Sequence, residues 1–362
     1  MPRPVVRRTG GGRRRRADTA DTSTPGTRTM KFLVTGSAGF IGFHLCRRLL
    51  RDGHAVAGLD AMVPYYDVRL KEARHAILAE HAAFRPHAAD MADAAALDRV
   101  LEAEAPEVVL HLAAQAGVRY ALEHPESYVR NNVVATHNLL EACRRRPVRH
   151  LLLASTSSAY GANASMPFRE TDAAATPLNI YAASKLATEQ LGHSHAHLWK
   201  QPVTAFRFFT VYGPWGRPDM APFRFTEAVL RGEPIAVHNH GRMERDFTYV
   251  DDLVEAVVRL VDAPPEAGKR VADCDSVSPA APFRVVNIGN ARPVPLLDFI
   301  AEIERATGRA AERELRDMHP GEVVRTWADT SLLHALTGYR PGTPIGPGID
   351  AFVAWFRGHY GT

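Results

Sequence analysis

Tyr181 and Lys185 stand four residues apart in Asn179-Ile180-Tyr181-Ala182-Ala183-Ser184-Lys185, and the continuation Leu186-Ala187-Thr188-Glu189-Gln190-Leu191 predicts a helix. That spacing puts the phenol and the ammonium on one helix face, one turn apart. An ammonium there favours the phenolate and pulls the tyrosine below its reference value of about 10. Such a phenol can take a proton from an alcohol and give it back. Thr156, at the end of a predicted strand, is placed to hold the same hydroxyl while Tyr181 moves its proton. Taken alone, Tyr-x-x-x-Lys also describes an ordinary surface helix, and a strand-end Thr also caps local backbone.

The elements that must position these groups begin at Lys31-Phe32-Leu33-Val34-Thr35, a short apolar run that ends in Gly36-Ser37-Ala38-Gly39-Phe40-Ile41-Gly42. A helical pattern follows to Asp52-Gly53, and a second strand, Ala55–Leu59, ends in Asp60. Strand, glycine turn, helix, strand and acid in this order form a dinucleotide-binding unit. Its glycines allow a tight turn, a close approach of pyrophosphate to backbone and close helix–strand packing, and the helix N-terminus offers unpaired N–H groups to the phosphates. Asp60 suits a ribose diol and repels a 2′-phosphate, so NAD is favoured over NADP. Gly36, Gly39, Phe40, Ile41, Gly42 and Asp60 are the first cofactor candidates.

Strands alternate with helices up to residue 210. Helices are predicted over 67–82, 93–104, 126–146 and from Tyr181 to about 200, with strands over 84–89, 107–114, 149–156 and 203–208. This alternation predicts an α/β fold with a doubly wound parallel sheet. Ligands then bind at the carboxyl ends of the strands. That adds Asp90 with Met91, and Ala113, Ala114 and Gln115, to the cofactor side. After Gly213-Pro214 the pattern changes to helices over 223–231, 251–262 and 295–308 among short strands over 235–238 and 284–288, with a surface loop over 264–282. The expected organisation is a disordered basic extension (1–29), a NAD-binding domain carrying Tyr181 and Lys185 (30–212), and a smaller α/β substrate lobe (213–362) that can return segments to the first domain.

The chain has 362 residues, 46% hydrophobic and 23% charged, an ordinary soluble composition. Its formal charge of +4 is concentrated in residues 1–29, which hold eight Arg and two Asp and leave the body at −2. A nucleic-acid-binding fold keeps its basic surface in the body, so nucleic acid is not an expected partner. Cys46, Cys143 and Cys274 have no metal-ligand or disulfide spacing and fit a reducing, cytoplasmic setting. His193, His195 and His197 alternate in a helical region, which spreads them around the helix, and a solvated surface is expected rather than a metal site. No apolar run approaches the roughly 20 residues needed to span a bilayer.

With these residues in place, the chain resembles the extended short-chain dehydrogenase/reductases that act on nucleotide sugars. The resemblance rests on the glycine turn, His111-Leu112-Ala113-Ala114, the strand end before Tyr160-Gly161, Tyr181-x-x-x-Lys185 and Arg245–Asp252, and spans about residues 30–360. Longer stretches are similar to UDP-glucuronate 4-epimerases: 63–74, 113–120, Thr326–Thr330 and, most specifically, Arg207–Met220. The resemblance implies that Tyr181 deprotonates a sugar 4-hydroxyl, that hydride passes from C4 to bound NAD, and that it returns to the other face of the 4-keto sugar. Lys185 would hold the nicotinamide ribose.

Related decarboxylases carry Glu two residues before the tyrosine matched by Tyr160, and 4,6-dehydratases carry Asp-Glu at three and two before it. Here those positions are Ser157 and Ser158. A 4-keto uronate loses carbon dioxide easily, so an enzyme that only inverts C4 must lack a base near C5 and hold the carboxylate still. Thr210 and Arg217 match the family's carboxylate contacts, Arg245 its diphosphate contact, and Gly117 and Arg119 are expected in the same cleft. Ala61 replaces the family's Asn after the ribose-binding acid, and Glu322 replaces an Asp near the nucleotide ribose. The resemblance also implies a homodimer built on the 126–146 helix and the Tyr181 helix. A 4-epimerase of a neutral UDP-hexose or UDP-N-acetylhexosamine, a UDP-glucuronate decarboxylase, and a non-enzymatic NAD-binding sensor or scaffold remain alternatives.

Overall fold

A computed structural model describes residues 1, 2, 28–318 and 323–361. The expected disorder of the basic extension concerns residues 3–27, which lie outside the described residues, as does Glu322. The chain runs through β1 (Lys31–Thr35), α1 (Phe40–Arg51), β2 (Ala55–Asp60), α2 (Val68–Ala79), β3 (Phe84–Ala88), α3 (Ala94–Glu104) and β4 (Val108–His111). Next come α4 (Tyr120–Glu123), α5 (Pro125–Tyr128), a π-helical turn (Val129–Val134), α6 (Ala135–Arg145), β5 (His150–Thr156), α7 (Ile180–Trp199), β6 (Val203–Phe208) and β7 (Thr210–Tyr212). The remainder is α8 (Ala221–Arg231), β8 (Ile235–His238), β9 (Glu244–Tyr249), α9 (Val250–Leu260), β10 (Phe283–Ile288), β11 (Pro293–Pro295), α10 (Leu296–Thr307), β12 (Arg313–Arg316), β13 (Arg325–Thr326), α11 (Ser331–Thr337) and α12 (Ile345–Tyr360).

Seven of the strands form one parallel sheet in the order β10-β6-β5-β4-β1-β2-β3. The order reverses between β1 and β4, and this switch point opens the crevice in which such folds bind ligands. Side chains alternate across a strand. Phe32 and Val34 of β1 therefore pack with α1, α9 and α11 on one face, while Leu33 packs with α3, α6 and α7 on the other. A separate apolar cluster joins α8, α10 and α12 to β8 and β9.

The helix ends follow from local chemistry. Asp93 accepts from the N–H groups of Ala95 and Ala96 at the start of α3, and Asn179 accepts from Ala182 at the start of α7. Such caps contribute about 1 kcal/mol each.

Three expectations change. The strand expected over 107–114 ends at His111, because Leu112 donates to the Thr35 carbonyl and Ala113 to the Thr35 hydroxyl, turning residues 113–115 out over the crevice. The helix expected over 126–146 is interrupted by the π turn. The strand expected over 284–288, after the first domain, is β10, the edge of the main sheet, paired to β6.

Candidate active site

One continuous cleft of about 1250 Å³ runs across the carboxyl ends of the strands, and the described residues expected to bind cofactor or substrate or to do chemistry line it. Its size exceeds the roughly 300–1,000 Å³ of a single small-ligand pocket and suits two nucleotide-sized groups.

The cofactor half is built on the turn between β1 and α1. Gly36 has φ +72°, and a Cβ there would meet the Ala113 backbone nitrogen at 2.8 Å. A Cβ on Gly42 would strike the Gly36 carbonyl. The N-terminus of α1 has no side-chain cap, so its N–H groups are left to a ligand. At the end of β2, the Asp60 carboxylate accepts from Ala38 N (3.2 Å), Met62 N (2.8 Å) and Lys71 Nζ (3.3 Å). A carboxylate has about four acceptor sites, so capacity remains for a ribose hydroxyl. Ala61 lines the same wall without a polar side chain. Asp90 accepts from Ala92 N and from Arg130 (2.8 and 2.7 Å), and Met91 is buried beside it. A cradle that only glycine fits, an open helix N-terminus and a buried strand-end acid together fit NAD.

Beside the Thr156 strand end, Tyr181 sits in the first turn of α7 and Lys185 is buried one turn on. The expectation that Lys185 lowers the Tyr181 phenol is not met. Burial raises the phenol, and the groups that pull it back are the Thr156 hydroxyl, by hydrogen bonding, and the Arg217 charge. Lys185 is itself lowered to about 8 by burial, partly offset by Glu189 one turn further along. Glu189 is spoken for: it accepts two hydrogen bonds from buried Arg207 (3.0 and 2.8 Å) and one from Ser155 (2.5 Å). The Thr156 hydroxyl also accepts from Ser158 N at 3.1 Å and caps the short 3-10 turn Ser157–Tyr160. Ser157 and Ser158 therefore reach the cleft from a fixed turn.

The substrate half lies under the second lobe. Thr210 opens β7, and Arg217 follows the turn after it. Asp219 holds Arg217 with two hydrogen bonds (3.0 and 2.5 Å) and accepts a third from Tyr65 (3.1 Å). Gly117, at φ +104°, passes against the Tyr65 hydroxyl, where a Cβ would come within 2.7 Å. Arg119 precedes α4 on the same wall. Arg245 on β9 donates to the carbonyls of Glu244, Val323 and Val324, which fixes its guanidinium beside β13.

Several residues of the site were not singled out from the sequence. Asn132, in the π turn, accepts from Gln115 N (2.7 Å) and donates to Gln115 O (3.0 Å) and to Ser184 Oγ (2.9 Å). Its signal was a pair of Asn residues, poor helix formers, in the middle of a helical pattern. Asn179 lines the cleft as the cap of α7, and Tyr65 and Asp219 complete the setting of Arg217. Of the histidines of α7, His197 is exposed as expected, while His193 is half-buried and His195 leaves the solvated face. His193 and His197 bond Ser278 and the Ala280 carbonyl, and His195 is buried, with neither ring nitrogen paired among the described residues.

A model of the NAD dependent epimerase/dehydratase family matches residues 32–277. The chain belongs to that family. A probable UDP-glucuronate 4-epimerase of Rhizobium meliloti (strain 1021) is 52% identical over 334 residues, covering 91% of this chain and 98% of that one. The family likeness holds in three dimensions. The chain is similar to a UDP-glucuronic acid 4-epimerase from Bacillus cereus, solved with UDP-glucuronic acid and NAD, at a TM-score of 0.82 and 34% identity over 91% of this chain and 100% of that one. A UDP-glucose 4-epimerase from Thermotoga maritima, solved with UDP-glucose, gives a TM-score of 0.79 at 27% identity over 91% and 100%. Among the described residues no helix is long and apolar enough to cross a membrane.

Proposed function

We propose that this protein is a UDP-glucuronate 4-epimerase, interconverting UDP-glucuronate and UDP-galacturonate with retained NAD. The observation that carries the reading is Arg217. Its guanidinium lies close enough to Tyr181 to lower the phenol, in the same cleft as the two hydroxyls of Ser157 and Ser158. A C5 carboxylate placed between them meets the guanidinium N–H groups beyond the Nε–Nη2 edge that Asp219 holds, together with the two serine hydroxyls.

Tyr181, as phenolate, accepts the proton of the 4-hydroxyl, and Thr156 holds that oxygen. NAD bound on the Gly36–Gly42 turn supplies the acceptor for the C4 hydride and gives it back, so the turnover has no net redox change. Lys185, buried beneath the phenol, holds positive charge near the developing phenolate. Ser157, Ser158, Thr210 and Arg217 keep the carboxylate from leaving the 4-keto sugar as carbon dioxide. Tyr181 then returns its proton to the inverted oxygen. Arg245 meets the diphosphate, in the cleft that Gly117 and Arg119 also line.

In this reading residues 30–212 bind NAD and carry the chemistry. Residues 213–362 mainly bind the nucleotide sugar, with α9, β10 and α11 returning to the first domain. The protein works in the cytoplasm, where its buried thiols Cys46 and Cys143 stay reduced, and supplies uronate for polysaccharide synthesis. It acts as a homodimer through α4–α6 and α7, whose outer residues Leu122, Val129, Val134, Ile180, Leu198 and Trp199 are exposed apolar side chains.

Purified protein incubated with UDP-glucuronate and no added NAD is expected to yield UDP-galacturonate. A UDP-pentose with carbon dioxide, or unchanged substrate beside turnover of UDP-glucose, would contradict the assignment.

A further inference from the structure

The turn that delivers Arg217 to the cleft is Gly213-Pro214-Trp215-Gly216, and it is held from outside the second lobe. Three consecutive carbonyls of this turn point into helices of the NAD-binding sheet. Pro214 O accepts from His44 Nε2 of α1 at 2.8 Å. Trp215 O accepts from Arg74 Nη2 of α2 at 2.6 Å, and Gly216 O lies 3.4 Å from the same nitrogen. The other arm of Arg74 donates to the Ala38 carbonyl (2.8 Å) in the glycine turn and to Tyr66 Oη (2.7 Å).

This arrangement is costly. Arg74 is fully buried, and among the described residues it forms no ion pair, being solvated by carbonyls and one phenol while its Nε is unpaired. A buried guanidinium without an acid is an expensive way to fill space. The turn it holds is strained as well: Trp215 has φ +61°, a conformation rare for a bulky residue. The indole is wedged against Phe43 and Trp355, at ring-centre distances of 5.4 Å each. Two residues beyond this strained point stands Arg217.

We propose that Arg74, with His44 beside it, is a positioning residue for substrate selection. By holding the 214–216 carbonyls against α1 and α2, it aims Arg217 at the C5 substituent and locks the carboxylate-reading turn to the glycine turn that carries the cofactor. The proposal rests on the reading of Arg217 as the carboxylate contact. Lysine at position 74 keeps the charge but not the fork, and cannot hold the two turns at once.

The test uses NAD-loaded protein in a Tyr181→Phe background, so that no turnover intervenes, with Kd measured by calorimetry for UDP-glucuronate and for UDP-glucose. Arg74→Lys is expected to weaken UDP-glucuronate by roughly tenfold, while UDP-glucose affinity of the NAD-loaded fraction stays unchanged. Arg217→Met, measured alongside, is expected to abolish the preference for the uronate. If Arg217→Met keeps the preference, the reading of Arg217 itself fails. If Arg217→Met loses it and Arg74→Lys keeps it, or loses both ligands equally, the positioning role alone is overturned. Should Arg74→Lys not accumulate in NAD-loaded form, His44→Ala carries the same measurement. A reduced preference supports the proposal, and an unchanged one overturns it.

Discussion

Asn132 donates to the Ser184 hydroxyl across 2.9 Å, and Ser184 in turn donates to the Tyr181 carbonyl at 2.8 Å. The other side of the Asn132 amide pairs with both backbone groups of Gln115. One buried side chain therefore ties the loop after β4, which faces the cofactor, to the first turn of the catalytic helix. The π turn at Val129–Val134 is what turns Asn132 inward at that height. Asn132→Ala leaves Gln115 N and O unpaired. It is expected to cost roughly 2 kcal/mol or more of stability and to lower kcat about tenfold or more through a loosened Tyr181. Thermal denaturation of the NAD-loaded protein and steady-state kinetics read the two effects separately, and a variant with wild-type kcat would remove Asn132 from the positioning of Tyr181.

The phenol of Tyr181 is raised by burial and must be ionised to accept a proton. Activity should therefore rise with pH until that phenol titrates. Thr156→Val removes the hydrogen bond that opposes burial, so the rising limb of kcat/KM moves to higher pH, with a loss at neutral pH of about a hundredfold. A pH–rate profile with the limb unmoved would mean that Thr156 does not act on Tyr181.

Ser158 occupies the position at which related decarboxylases carry Glu. Ser158→Glu sets a carboxylate into the cleft near the substrate's C5 side and weakens the hold on the uronate. A measurable share of turnovers should then end in carbon dioxide and a UDP-pentose, detected by trapping labelled carbon dioxide from carboxyl-labelled substrate. No release above wild type would argue that Ser158 does not face the sugar ring.

His195 is buried on α7 without a side-chain hydrogen bond among the described residues, and burial lowers its imidazole to about 4. The unfolded imidazole titrates near about 6.5. Between these values the unfolded chain takes up a proton that the folded chain refuses. Stability therefore falls as pH drops from 6.5 toward 4, by up to about 1.4 kcal/mol per pH unit from this group, and the group adds no slope above 6.5. His195→Leu removes both the unpaired nitrogens and that slope. Its Tm should exceed that of the wild type at pH 8, and by a wider margin at pH 5. Equal margins at both pH values would show that His195 is not the buried neutral group described.

The parallel sheet, the glycine turn and the strand-end positions of the cleft were legible because each is written in local patterns: unbroken apolar runs in β4 and β5, a glycine turn, and an acid at the end of β2. Tyr181 and Lys185 were legible because their spacing is helical. What tunes them was not. Arg217, 36 residues away in sequence, is among the groups that lower Tyr181, and the burial that raises the phenol belongs to the assembled fold. Arg74 and His44 were not singled out, because nothing local says that three carbonyls of a distant turn will meet them. The return of β10 to the sheet was hidden for the same reason: its apolar run does not say which neighbour it joins.

The central claim is that one C–H bond at C4 is broken and remade in the same site while the carboxylate and C5 stay untouched. It is tested most directly with UDP-glucuronate carrying deuterium at C4, incubated with the purified protein in ordinary water and analysed by mass spectrometry and proton NMR. The expected product is UDP-galacturonate that keeps its deuterium at C4. In the mirror experiment, unlabelled substrate in heavy water gains none at C5. Loss of deuterium from C4, incorporation at C5, or a pentose product would contradict the account.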